Sequence, residues 1–241
     1  IINLTKTHIM KKTLFTAFLT LTTFVLFSQS GSNFTVRLNT LIPSGEFKDD
    51  DYDDFLLDGA GGAGAGIGLG FEFAKEIEVE GLSIIGSVDV LVNGLSKEIK
   101  ENIEDDLDPS DKITYLKYIN APVLIGAKYS LLASNIGIFG KFNVGLNMLH
   151  ITNYEVEYDG YGTNTLSFDN SMKLAYGIGA GIVLNEKISI GFDYLGLGSH
   201  PIDGKDTYED DSFDSEVDIS DYYDTRDISI SGIKLHLGFI F

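Results

Sequence analysis

The sequence holds no cysteine and no tryptophan, and only 4 of its 241 residues are proline. Without cysteine, disulfides and thiolate metal sites are excluded, and an oxidising compartment is neither required nor contradicted. No proline- or serine-rich tract separates the periodic segments, so the chain offers no linker at which to divide, which favours one domain. Basic residues are scarce as well: 17 Lys and Arg stand against 36 Asp and Glu, a formal net charge of −19. That balance excludes nucleic acid as a partner, because phosphate binding depends on clustered cations. Long apolar runs are missing too. The run Leu14–Phe27 falls short of the roughly 20 residues that carry a helix across a bilayer. It follows Met10-Lys11-Lys12, the basic start of a secretory leader. Residues 1–30 are therefore read as upstream residues plus a signal peptide cleaved near Ser28–Ser30, with Met10 as the start, and residues 31–241 as the mature domain.

What the chain has in quantity is glycine, 27 residues, and strict alternation. In the closing stretch Ile233, Leu235, Leu237, Phe239 and Phe241 take every second position, with Lys234, His236 and Gly238 between them. That period belongs to a strand with one apolar face. Seven earlier stretches do the same, near residues 33–42, 62–74, 81–94, 113–130, 136–148, 172–184 and 188–197. The second is the plainest: Ala65, Ile67, Leu69, Phe71 and Phe73 alternate with Gly64, Gly66, Gly68, Gly70 and Glu72. Ile85 and Leu91 interrupt the polar parity of the third stretch, and Lys117 falls on an apolar face, which predicts a bulge or a side chain reaching toward an interface.

Glycine and paired charge opposite an apolar face describe an inside-out barrel, lipid outside and polar within. The expected fold is all-β, an eight-stranded antiparallel up-and-down transmembrane β-barrel. A soluble lipocalin-like calyx has a similar strand number but keeps its inner wall apolar, against the inner glycines and lysines here. Connections alternate short and long, with turns near Lys75, Leu132 and Asn185. The long connections, read as loops, hold 29 of the 36 Asp and Glu, so the charge lies at one end.

The inward parities collect Arg37, Glu72, Asp89, Lys128, Lys141, Lys173, Asp193, Lys234 and His236 in the lumen. Charges of both signs in so narrow a space should pair, because an unpaired buried charge is costly. The expectation is a plugged, non-conducting lumen in preference to a pore or small-solute path. Asp49, Asp51 and Asp53 have the spacing of a calcium loop, but Asp54 and Ala60 stand where an EF-hand needs Gly and Glu. Weak, loose capture of Ca²⁺ stays open there, at Glu104, Asp106 and Asp108, and at Asp210 and Asp211; otherwise no cofactor is expected. Gly59, Gly61 and Gly64 match a dinucleotide fingerprint without its strand and helix. His150 or His200 with Ser199 and loop acids is the only arrangement for catalysis, and a lipid-modifying enzyme is the third reading after surface barrel and pore.

The stretch Tyr115–Ser130, YLKYINAPVLIGAKYS, together with the leader and the terminal Phe241, resembles the outer-membrane β-barrel domain common in Bacteroidota, the PorT-like group. More distantly, it resembles OmpA-like and OmpX-like small barrels in architecture. The resemblance implies outer-membrane residence and, in its best-known branch, a part in protein secretion or surface assembly, with no catalytic motif. It further implies that Leu237, Phe239 and Phe241 form the signal read by the barrel assembly machinery. The expected partners are outer-membrane lipid and lipopolysaccharide, that machinery, and an extracellular or secretion-system protein, with the barrel itself a monomer.

Overall fold

The computed structural model describes residues 31–51, 59–133, 135–210, 213–219 and 227–241. The leader, Asp53 and Asp211 lie outside the described residues. In chain order the elements are β1 (Ser32–Ser44), β2 (Gly66–Glu76), β3 (Leu82–Gly94), helix α1 (Lys97–Asp105), β4 (Lys112–Thr114), β5 (Lys117–Ala133), β6 (Ile136–Ile151), β7 (Tyr154–Tyr158), β8 (Gly162–Phe168), β9 (Ser171–Leu184), β10 (Ile188–His200), β11 (Gly204–Glu209), β12 (Asp214–Asp218) and β13 (Ile228–Ile240).

Eight of these strands close on themselves in the order β1-β13-β10-β9-β6-β5-β3-β2, every pair antiparallel. First and last strands seal the wall: the Phe34 amide donates to the Phe241 carbonyl at 3.2 Å and the Phe241 amide to the Phe34 carbonyl at 2.8 Å. The alternating apolar residues point outward. Ile67, Ile125 and Leu174 are 74%, 62% and 80% exposed, part of a continuous apolar belt. Water would not tolerate such a surface; hydrocarbon does. The predicted fold is the observed one.

Of the two alternatives for Lys117, the side chain reaching toward an interface is the one observed, and the bulge is not. The register between β3 and β5 runs without a shift down to Gly94 opposite Lys117, so Lys117 sits in a regular ladder and is exposed at the strand's outer end. Its place at the rim lets an ammonium on the outward face stay wet. The ladder irregularity found between β10 and β13 lies instead at Gly196–Gly198.

The long connections are also more than loops. A second, five-stranded sheet has the order β12-β11-β8-β7-β4. Four of its strands adjoin barrel strands in the chain: β4 leads into β5, β6 into β7, β8 into β9 and β10 into β11, while β12 precedes β13 in sequence. One side of the barrel wall thus rises as a flap. Apolar alternation did not reveal it because neither flap face meets lipid: every residue of β8, GTNTLSF, is half-buried. The first part of the connection 95–111 is helical. Ser96 caps α1 by accepting from the Ile99 amide at 3.2 Å, and Ile99 and Ile103, one turn apart, bury the same face.

Candidate functional site

The lumen is filled at three levels. Nearest the short turns, six ionised side chains form a closed ring of alternating sign. Arg37 Nη1 meets Glu72 at 2.6 Å, Glu72 meets Lys141 at 3.2 Å, Lys141 meets Asp193 at 3.1 Å, Asp193 meets Lys234 at 3.1 Å, Lys234 meets Asp89 at 2.9 Å, and Asp89 returns to Arg37 Nη2 at 3.0 Å. Lys128 adds a fourth cation, 2.9 Å from Glu72 and more open to solvent than the ring members. Asn39 Nδ2 donates to Asp89 at 2.9 Å. Phe139 lies beneath, its ring 5.7 and 6.0 Å from the ammonium groups of Lys128 and Lys141 and stacked on His236. His236 approaches Asp193 at 3.6 Å.

Backbone register explains how so many charges converge. Arg37, Gly70 and Asp89 occupy one row across β1, β2 and β3, and Lys141, Gly179 and Asp193 one row across β6, β9 and β10. A Cβ on Gly70 would stand 1.7 Å from Asp89 Oδ1, and one on Gly179 1.9 Å from Asp193 Oδ1. The glycines are therefore the space into which the carboxylates fold. Eight of the nine charged residues predicted for the lumen come together in this way. Lys173 does not. It pairs in register with Asn147, six residues and about 20 Å along the strand from Gly179, and makes no ion pair among the described residues.

Above the ring lies an amide layer. Asn147 Nδ2 donates to Asn120 Oδ1 at 2.8 Å, and Asn93 Nδ2 to the Gly64 carbonyl at 2.8 Å. His200 Nε2 lies 3.0 Å from the Leu197 carbonyl and 3.3 Å from Asn147 Nδ2, and its Nδ1 lies 2.6 Å from the Ser171 hydroxyl. The predicted partner Ser199 instead donates to Asp227 at 3.3 Å, and His150 meets Asn170 at 2.8 Å.

Over both layers sits an apolar cap. Phe47, Ile99, Leu116, Tyr118, Leu195 and Leu197 are buried there, with Phe47 edge-on to Tyr118 at 5.1 Å and the Tyr118 hydroxyl on the Gly61 carbonyl at 2.6 Å. A Cβ on Gly61 would meet the Phe47 backbone within 3 Å, so this glycine serves close packing under the cap. Cap residues on the strands, Leu41, Leu91, Tyr118, Leu149 and Leu195, are inward-parity apolar residues in the outer halves of their strands. Leu91 was the visible trace of them in the sequence.

The candidate cation ligands do not assemble. Among the described residues no three His, Asp or Glu gather around a common point in a metal-holding group. Asp49 accepts from the Asp51 amide, Glu104 from the Tyr115 hydroxyl, Asp108 from the amide and hydroxyl of Ser110, and Asp210 from the Phe213 amide. The Ser110 contacts hold the Asp108 carboxyl below its ordinary value. Asp106 adds no cluster of its own. Carboxylates spent locally on turns and caps are not preorganised around an ion.

Beside this apolar belt, inner charge and sealed wall, the sequence matches the family model of the outer membrane protein beta-barrel domain over residues 13–241. The chain belongs to this family. Membership sets it in the outer membrane, crossing with strands. Among solved structures it is similar to a major outer membrane protein from Thermus thermophilus, at 13% identity over 87% of this chain and 99% of that one, with a TM-score of 0.50. OprG from Pseudomonas aeruginosa aligns at 16% identity over 88% and 96% with a TM-score of 0.45, and Ail of Yersinia pestis at 13% over 88% and 99% with 0.43. At such identities the likeness concerns the fold alone. No curated protein matches the sequence significantly.

Proposed function

We propose that this chain is a closed, non-enzymatic surface barrel that presents its flap for recognition outside the cell. The observation that carries the reading is double closure: an ion-pair ring and, above it, an apolar cap, each spanning the lumen. A carrier of solutes needs a path past both. The flap, by contrast, is a built sheet with no role in closing the wall.

In this reading the leader after Met10 exports the chain, and the assembly machinery takes up the terminal Leu237, Phe239 and Phe241. The barrel works as a monomer of the PorT-like, Bacteroidota type, its flap turned to an extracellular or secretion-system protein. The acidic outer surface binds divalent cations diffusely, sharing them with lipopolysaccharide phosphates at the outer leaflet. Planar-bilayer recording of the purified protein tests it. Electrical silence is expected, and regular conductance steps from the unmodified protein would overturn the closed reading in favour of a narrow pore.

A further inference from the structure

Along β5, β6 and β9 the apolar belt ends, toward the flap, on a row of polar side chains. Lys117, His150 and Asn170 stand one outward-facing position beyond Ile119, Met148 and Met172, and all three are exposed. The register brings them together. Ile119 lies opposite His150, which makes Lys117 a diagonal neighbour of the imidazole on the same face, within reach of a long side chain. His150 Nδ1 lies 2.8 Å from Asn170 Oδ1, a contact that steadies the ring and leaves Nε2 unengaged among the described residues. Lys97, Lys112 and Lys205, at the same end of the molecule, each meet a carboxylate. Lys117 meets none among the described residues.

Beneath this row the wall suits a lipid chain. Met148 faces Met172 directly across β6 and β9, 46% and 60% exposed, and Leu146 faces Leu174, which is 80% exposed. The facing pair holds two of the three methionines in the sequence. An unbranched thioether conforms to an irregular apolar neighbour where a stiff β-branched side chain does not.

We propose that this row binds the phosphorylated glycolipid of the outer leaflet, its phosphate between the Lys117 ammonium and the His150 imidazole and an acyl chain along Met148, Met172 and Leu174. Such a lipid carries its charge at the edge of the hydrocarbon, and there the outward face of these strands turns from apolar to basic. The ammonium gives the phosphate a charge-assisted hydrogen bond, and Nε2 of the protonated ring gives a second. Loop acids can hold such a lipid only through shared divalent cations; this contact is direct and needs none. It rests on the long connections facing outward, as the proposed reading has them, and not on what the flap recognises.

Native mass spectrometry of the full chain in detergent, with EDTA present and bis-phosphorylated lipid A as the probe, tests the site. Expected is a saturable adduct with a single lipid, weakened about ten-fold in Lys117→Gln/His150→Gln and also weakened in Met148→Ala/Met172→Ala. A control that removes two other cations, Lys97→Gln/Lys100→Gln on α1, should stay within about two-fold of the parent. All variants must show the heat-modifiable gel shift of a folded barrel. Absence of a saturable adduct would overturn the inference, as would equal weakening in the control. Equal competition by phosphatidylglycerol would give the row to any anionic lipid, displacement by inorganic phosphate would give it to a free ion, and an adduct formed only with calcium would return the lipid to diffuse cation sharing; each overturns the inference. None of these outcomes touches the closed lumen, whose own failure would appear as conductance.

Discussion

Asp193 and Lys234 stand directly opposite each other on β10 and β13, and their carboxylate and ammonium meet at 3.1 Å inside the barrel. Each is also bound to a second partner, Lys141 and Asp89, so the pair is one segment of a closed circuit. Removing one member strands the others among buried side chains. Lys234→Met should therefore cost about 3 kcal/mol, as for other broken buried pairs. Adding Asp193→Asn should cost less than its separate effect, with a coupling of at least about 1 kcal/mol. Urea unfolding in lipid vesicles, read by gel mobility, measures both; strictly additive losses would mean the ring is not energetically connected.

Glu72→Ala should leave the barrel electrically silent, although it takes a shared carboxylate from Arg37, Lys128 and Lys141. The cap remains, with Phe47 and Leu116 in place. Combining it with Ile99→Asp and Ile103→Asp, which unseats α1, should give small anion-selective steps, since the lumen then holds an excess of cations. Bilayer recordings of the three proteins decide this, and current through Glu72→Ala alone would show that the cap does not seal.

Glycine placement gives a sharp contrast within one barrel. Gly179→Ala would force a methyl against Asp193 and the Phe192 carbonyl, whereas a Cβ on Gly86 meets nothing within 4 Å. The first should lower stability by about 1–3 kcal/mol and the second by less than about 0.5 kcal/mol. Matched unfolding curves would check it, and equal effects would deny that Gly179 makes room for the carboxylate.

Lipid exposure can be tested the same way. Ile125→Arg, on the outward face of β5, should cost about 2–4 kcal/mol near the bilayer midplane. Thr165→Arg on the flap should cost little, within about 0.5 kcal/mol. Comparable yields of folded barrel from both, in vesicles, would contradict the membrane face assigned to β5.

Eight strands and the inner charges were legible because one fact repeats along each strand: lipid demands an apolar face, so every departure from it reads as interior. Arg37, Glu72, Asp89, Lys141, Asp193 and Lys234 could be assigned to one compartment by parity alone. Which carboxylate meets which ammonium could not, because that depends on the stagger between strands, as does the separation of Lys173 from the ring. The flap escaped notice for the opposite reason. Its strands lie in water, half-buried on both sides, and Thr163, Asn164 and Thr165 carry no periodic signal. The cap was hinted at only by Leu91, since its other members come from separate strands and a helix that meet in three dimensions.

The flap is not hinged on. The ladder between β6 and β9, from Ile136 opposite Leu184 to Leu149 opposite Ser171, is taken up by β7 and β8 from Tyr154 opposite Leu166 to Tyr158 opposite Gly162. A pull at the tip runs parallel to these strands, so it loads many inter-strand bonds at once, in shear, where a perpendicular pull would open them one by one. The sheet is built to bear tension: a partner tugging on it would draw against the whole embedded wall, and the lipid anchoring that wall, before the tip itself gave way.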